Sequence, residues 1–105
     1  MLQAEQHRVL FDVLKWQNGI PGARFKVFQN GTKQLRLLEL TQEFVEPEWC
    51  EKGHMGFVVQ GELEIDFQGH LVRYPQGSGI FILAGSAHKA RAITPVALLF
   101  LVEDI

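Results

Sequence analysis

The stretch GELEIDFQGHLVRY, residues 61 to 74, alternates apolar and charged side chains and then turns back on itself. Leu63, Ile65 and Phe67 fall on one side of an extended chain, and acidic residues occupy the positions between them. This alternation is typical of a β-strand with one face buried and the other in water. A glycine-containing turn follows, and residues 70–74 are predicted to return as the next strand.

The same pattern extends over most of the chain. Short runs rich in Val, Ile, Leu and Phe recur between regularly spaced Gly and Pro residues, which predicts an all-β sandwich or barrel of about eight strands. Asn30 and Gly31 both tolerate positive φ, so a hairpin is predicted between residues 23–28 and 33–40. Residues 80–83 are all apolar and are predicted to form a strand buried on both faces.

The composition is that of an ordinary soluble globular protein and excludes several functional classes. The 105 residues are predicted to form one domain, with 47% apolar residues, 21% charged residues and a formal net charge of -2. No basic surplus favours nucleic acid, and no apolar run approaches the roughly 20 residues of a membrane helix. With one cysteine and no signal-peptide pattern, we expect a protein of a reducing compartment, by default the cytoplasm.

A polar cluster interrupts the apolar strands shortly before the opening stretch. Glu48 and Cys50 are two positions apart and would share one face of an extended chain. A three-residue turn with Gly53 in the left-handed conformation would bring His54 back across from Cys50. Carboxylate, thiolate and imidazole groups all bind Zn²⁺ or Fe²⁺, and His88, at the start of a later strand, is the candidate fourth ligand.

The spacing of these residues resembles the two sequence motifs of the cupin family. Cupins carry the motifs G-x5-H-x-H-x3/4-E-x6-G and G-x5-P-x-G-x2-H-x3-N on neighbouring strands of a β-barrel. Both spacings fit the chain without a gap, and residues 56–65, GFVVQGELEI, are similar to the stretch that cupins often write as gYVLeGelev. The motif residues that the chain retains are Gly61, Gly77, Gly85 and His88.

The ligand positions of the cupin motifs carry altered residues in this chain. Glu48 and Cys50 stand where the family has paired histidines, and His54 stands at the glutamate position. All three replacements can themselves bind a metal ion. Three further motif positions also differ, Gln42, Leu83 and Ala92.

The resemblance implies a small single-domain cupin, residues 1–105, with a double-stranded β-helix (jelly-roll) barrel over about residues 20–102. Residues 5–16 would precede the barrel as a strand or a helix. The resemblance also implies a divalent transition metal held by Glu48, Cys50, His54 and His88, with Zn or Fe first and Ni or Mn as alternatives. Loss of the metal with the altered motif is the opposing interpretation.

Several functions stay open at this point. The first is a metal-dependent enzyme acting on a small organic molecule, in a dry pocket to which Phe57, Phe81 and Phe100 contribute. The second is a non-catalytic module that binds a small molecule. Cys50 as a nucleophile with a histidine base is weaker, because no third orienting group is evident.

Structural explanations compete with each functional one. A free cysteine is often a small buried hydrophobe, and Glu48 has the setting of a solvated acidic loop. The histidines would then be polar residues satisfied by hydrogen bonds inside a ligand pocket. The apolar N-terminal run, residues 7–16, predicts a homodimer in which this segment packs on or adds a strand to a second copy.

Overall fold

The structure is a computed structural model that describes residues 3–105. Its first long hairpin turns at a glycine. Gly31 takes a φ of 59° in the loop between two antiparallel strands, Ala23–Asn30 and Lys33–Thr41. The predicted hairpin is confirmed, although its loop residues are Gly31 and Thr32, one position later than expected.

Residues 3–105 contain nine strands, preceded by two short 3-10 helices. The helices are Ala4–His7 and Phe11–Val13, within the segment expected to be a strand or a helix. The strands are β1 (Gln17–Asn18), β2 (Ala23–Asn30), β3 (Lys33–Thr41), β4 (His54–Gln60), β5 (Leu63–Asp66), β6 (Leu71–Tyr74), β7 (Gly79–Ile82), β8 (Lys89–Ala92) and β9 (Val96–Asp104).

The strands form two antiparallel sheets, which confirms the all-β class. The larger sheet has the order β1-β2-β3-β9-β4-β7, and the smaller one has the order β6-β5-β8. Within residues 3–105, the hydrogen-bonded ladders do not close these sheets into one continuous barrel. An isolated antiparallel bridge between Cys50 and His88 lies outside the strands.

The core lies between the two sheets, and strand alternation decides which side chains enter it. In β9, Ala97, Leu99 and Leu101 point inward and are at most 4% exposed. They pack with inward residues of β5, including Leu63, whose exposure is 0%. Burying one such side chain stabilises the fold by roughly 1.5–3 kcal/mol. Glu103 is in phase with these residues, so the same alternation brings a carboxylate inside.

The outer face of the larger sheet is only partly covered. Phe11 packs edge-on against Phe100 with ring centroids 6.1 Å apart, and Lys26 donates a hydrogen bond to the Phe11 carbonyl. The N-terminal segment therefore covers part of its own sheet. At the β7 edge nothing in residues 3–105 covers the sheet, so Phe81 is 70% exposed while its neighbour Ile80 is buried. The prediction that residues 80–83 are buried on both faces is wrong.

The helical content of the described chain is small. Across residues 3–105 we find no helix with the length and hydropathy needed to cross a membrane.

Candidate metal centre

Three side chains with metal-binding atoms meet at one end of the core. Cys50 and His88 are held opposite each other by two backbone hydrogen bonds of 2.9 Å, and His54 is the first residue of β4. One ligand atom from each residue lies within 4.8 Å of the other two. The Sγ atom of Cys50 is 3.7 Å from Nε2 of His54. The structure thus brings together three of the four residues that the sequence nominated.

The route by which the chain assembles this cluster differs from the expected one. Gly53 is not among the glycines with positive φ, so the predicted left-handed turn does not form. Cys50 instead pairs with His88, and residues 51–53 run on without strand pairing to the start of β4. A Cβ on Gly53 would lie 2.9 Å from the backbone nitrogen of Ala84, so glycine permits a close passage of two chain segments.

Glu48 lies outside the cluster. Its side chain is exposed, and it is not one of the residues whose ligand atoms converge. The prediction that it shares a face with Cys50 assumed an extended chain, but Pro47 and Glu48 form a bend. Strand alternation therefore does not hold across these residues, and the structure supports the acidic-loop interpretation of Glu48.

A buried carboxylate orients the His54 ring. The Nδ1 atom of His54 donates to Oε2 of Glu103 at 2.6 Å, which leaves the lone pair of Nε2 directed toward Cys50. Arg36 forms a bidentate ion pair with the same carboxylate, with hydrogen bonds of 2.9 and 2.8 Å, and the side chain of Gln34 donates a further hydrogen bond of 2.8 Å. Carboxylate-bound histidines of this kind are a common outer shell of metal sites, because the carboxylate fixes the tautomer and the ring.

The same contacts keep Glu103 ionised. Burial raises the pKa of Glu103, but hydrogen bonds from His54, Arg36 and Gln34 outweigh it and hold the pKa at about 2. Its side chain is 6% exposed, so this is a charge inside the protein rather than at its surface. Burying a carboxylate is costly unless charged and polar partners surround it, and this one has three.

The His88 ring is fixed by the backbone. Its Nδ1 atom donates to the carbonyl oxygen of Ser86 at 2.7 Å, so the Nε2 atom carries the free lone pair. His88 is 3% exposed, and its ring lies at 84° to that of His54 with centroids 5.1 Å apart. Both imidazoles are therefore held in the tautomer in which Nε2 is the nitrogen available to an ion.

The cluster opens onto a cavity of about 260 Å³. Most of its wall consists of inward apolar side chains of β2, β3, β5, β7 and β9. Its polar lining consists of the three cluster residues together with Arg36 and Glu46, whose Oε1 atom accepts a hydrogen bond from the backbone of Ala90 at 2.8 Å. A larger open groove of about 830 Å³ beside β8 contains none of the cluster residues.

The three phenylalanines predicted to contribute to a dry pocket do not line this cavity. Phe57 and Phe81 are 46% and 70% exposed, and Phe100 packs against Phe11. The reason is strand phase: His54 faces inward, so Phe57, three positions later in the same strand, faces outward. Phe25 and Phe44 supply the aromatic part of the wall instead.

The donor set fits a small divalent ion. With bonds of about 2.3 Å to sulfur and 2.0–2.1 Å to nitrogen, tetrahedral coordination places sulfur and nitrogen roughly 3.6 Å apart. The 3.7 Å between Cys50 and His54 matches this separation. Cys50, His54 and His88 all line the cavity, so three protein ligands would leave a fourth position for a water or a small molecule.

Sequence reasoning missed Glu103 and Arg36. A signal for Glu103 was present, because it continues the inward alternation of Ala97, Leu99 and Leu101. Its partners could not be read in the same way. Arg36 is brought to Glu103 by the pairing of β3 with β9, and His54 by the pairing of β4 with β9, which no local pattern specifies.

Solved structures with the same architecture cover most of the chain. KdgF from Halomonas sp. has a TM-score of 0.77 at 22% identity, over 90% of this chain and 91% of that one. An RmlC-like cupin from Shewanella frigidimarina has a TM-score of 0.76 at 15% identity, over 93% and 89%. The Fe(II) form of HppE has a TM-score of 0.71 at 15% identity, over 90% and 58%.

These likenesses are to the fold rather than to the sequence. No family model and no curated protein matches the chain. The structural matches agree with the motif spacing and with the two facing antiparallel sheets. The chain is a small all-β protein with the cupin fold.

Proposed function

We propose that the protein binds one divalent transition metal ion through Cys50, His54 and His88 and presents it to a small organic molecule in the cavity. The observation that carries this proposal is the convergence of three ligand atoms whose two histidines are already held in the metal-binding tautomer. A buried carboxylate behind His54 and a buried carbonyl behind His88 are the supports that metal sites use. Buried histidines need hydrogen-bond partners even without an ion, so the proposal rests on their convergence with Cys50.

Zinc or iron is the proposed metal. A thiolate with two imidazoles favours Zn²⁺ or Fe²⁺ over the harder ions that prefer oxygen ligands, so Mn²⁺ is a weaker candidate and Ni²⁺ an intermediate one. HppE, which has the same fold at 15% identity, is known in an Fe(II) form, and this is an argument for iron. The thiolate must stay reduced to bind, which fits the proposed location in a reducing compartment such as the cytoplasm.

The residues around the ion would fix its geometry and exclude water. When bound, the ion supplies a Lewis acid or a site for oxygen binding. Glu103 holds His54 in position, and Ser86 holds His88. The apolar wall leaves room for a small molecule of mainly apolar surface.

A non-catalytic binding module is the second candidate. The observation in its favour is that Glu48, the predicted carboxylate ligand, is exposed and leaves three ligands rather than four. In that case the cavity would hold a ligand, and the polar cluster would only orient it. The metal content of the protein separates the two candidates.

The experiment is elemental analysis of protein purified from medium supplemented with Zn, Fe, Mn, Ni and Cu. We expect close to one equivalent of metal in the wild type and a loss of most of it in Cys50→Ala and His88→Ala. Two matched controls, Glu48→Ala and His70→Ala, remove exposed residues and should keep the metal. Absence of stoichiometric metal in the wild type would leave the binding module as the function.

We also propose that a second copy of the chain covers the bare part of the larger sheet. The outward side chains of β4, of β7 and of β9 as far as Val102 are all uncharged. They include Met55, Phe57, Phe81 and Val102, which are 54%, 46%, 70% and 39% exposed. Contiguous apolar patches of this kind mark interaction surfaces, and an uncharged face can match its own copy across a twofold axis.

In the proposed homodimer the N-terminal segment lies next to the contact between the two copies. It packs on its own sheet through Phe11, beside the uncovered patch. Light scattering should give a dimer for the wild type and a monomer for Phe81→Lys. Leu71→Lys, on the smaller sheet and 59% exposed, is the control that should stay dimeric. A monomeric wild type at micromolar concentration would overturn the proposal.

A further inference from the structure

The proposed metal site contains one oxidisable ligand. Cys50 supplies its sulfur, and it is the only cysteine in the chain. The side chain is half-buried and lines the cavity, so a small peroxide entering the cavity reaches the sulfur. A thiolate reacts with peroxides, whereas imidazole ligands are far less susceptible.

The other two ligands cannot take over the role of the sulfur. The His54 ring is held by Glu103 at 2.6 Å, and the His88 ring is held by the Ser86 carbonyl at 2.7 Å. His88 is 3% exposed, and because its Nδ1 atom is bonded to that carbonyl, only Nε2 is available to an ion. Two rigid imidazoles hold an ion more weakly than two imidazoles and a thiolate, so the affinity of the site depends on the state of one sulfur atom.

We propose that Cys50 is a peroxide modification site whose oxidation releases the metal. The Cys50 thiolate attacks one oxygen of hydrogen peroxide, an S–O bond forms and the O–O bond breaks. Sulfur loses two electrons and the peroxide gains them, so that thiolate plus H₂O₂ gives sulfenic acid plus OH⁻. This inference rests on the proposed metal site.

The single cysteine determines how the oxidised site recovers. No second thiol in the chain can form an intramolecular disulfide with the sulfenic acid. An external thiol must therefore reduce it, after which the reformed thiolate binds the ion again. Metal occupancy would then report the balance between peroxide and thiols around the protein.

The experiment uses the zinc-loaded protein, since zinc has no redox chemistry of its own. Hydrogen peroxide is added in the presence of a chromogenic zinc chelator, and a trapping dione labels sulfenic acid. We expect loss of zinc at a rate proportional to the peroxide concentration, label on Cys50 in step with that loss, and recovery of zinc binding after dithiothreitol. Zinc retained while Cys50 is labelled would overturn the inference.

Two variants sharpen the test. Cys50→His replaces the sulfur with a third imidazole and should keep its zinc in peroxide. Met55→Leu removes a thioether that is 54% exposed on the outer face of the sheet and should leave the peroxide response unchanged. Equal release from wild type and Cys50→His would contradict a sulfur trigger.

The labelling arm keeps the test decisive if Cys50→His does not fold. Failure of the two proposals is also distinguishable. A wild type that takes up no zinc refutes the metal site itself. A wild type that binds one zinc and keeps it in peroxide refutes only the oxidation step.

Discussion

Two buried glutamates, Glu103 and Glu64, both bind arginines, and they differ in where the arginines lie. Glu103 is inside, with Arg36, Gln34 and His54 around a carboxylate that is 6% exposed. Glu64 is on the outer face of the smaller sheet, where Arg73 and Arg91 lie across from it on the two neighbouring strands.

The Glu64 carboxylate is 11% exposed, but the arginines that cover it are 58% and 63% exposed. Its charge is therefore screened by water around the arginine side chains, and the ladder fixes strands rather than a functional group. Hydrogen bonds from Arg91 lower the pKa of Glu64 against the opposing effect of burial. At Glu103 the arginine is only 24% exposed and His54 is a further partner, so the carboxylate there orients a histidine toward Cys50.

The largest expected effect is on stability when the buried carboxylate is removed. Glu103→Ala leaves Arg36 without its partner inside the protein, and we expect the free energy of unfolding to fall by about 3 kcal/mol. Urea unfolding monitored by circular dichroism measures this change. Glu64→Ala is the matched control and should lose clearly less, since its arginines reach water. Equal losses would remove the distinction between the two glutamates.

The second effect is a pH dependence that belongs to Glu103. Its pKa is about 2 in the folded protein and 4.5 ordinarily, so its contribution is present above pH 4.5 and is lost as the pH falls toward 2. The contribution is roughly 3 kcal/mol in size. The stability difference between wild type and Glu103→Gln should therefore shrink between these pH values. A difference that stays constant across this window would show that the carboxylate is not held ionised.

Metal affinity provides a third and smaller difference. Glu103→Gln keeps the size of the side chain but replaces the charged acceptor of the His54 hydrogen bond with a neutral amide. We therefore expect zinc affinity to fall by about 10- to 100-fold. Competition with a chelator of known affinity measures this loss. Glu64→Gln should bind zinc like the wild type. A Glu103→Gln variant of unchanged affinity would show that His54 does not need its carboxylate to serve as a ligand.

The smallest effect is expected from the surface ladder itself. Arg91→Ala removes one exposed partner of Glu64, so its destabilisation should be slight and should diminish at high salt. Thermal unfolding at low and high ionic strength tests this. A large loss that persists in high salt would mean that the ladder is as structurally important as the buried network.

The same contrast explains how much the sequence predicted. Alternation within one strand identified the buried face of β5, and motif spacing nominated Cys50, His54 and His88, which converge. Glu48 does not share a face with Cys50, because a bend interrupts the alternation of the extended chain. Phe81 is not buried, because its apolar edge strand is covered on one face only.

Contacts between strands that are distant in the chain could not be predicted from the sequence. Glu103 meets Arg36 and His54 because β9 lies between β3 and β4 in the sheet. Which strands are neighbours, and in what register, depends on the packing of the whole chain rather than on any short pattern. The three residues that converge were therefore predictable from the sequence, but the carboxylate that orients His54 was not.

The central claim is that Cys50, His54 and His88 bind one ion together, and X-ray absorption at the zinc edge tests it most directly. For the protein loaded with one equivalent of zinc, we predict one sulfur at about 2.3 Å, two imidazole nitrogens at about 2.0–2.1 Å and one further light atom. The sulfur shell should disappear in Cys50→Ala. A wild-type spectrum with only nitrogen and oxygen neighbours, unchanged by that substitution, would contradict the account.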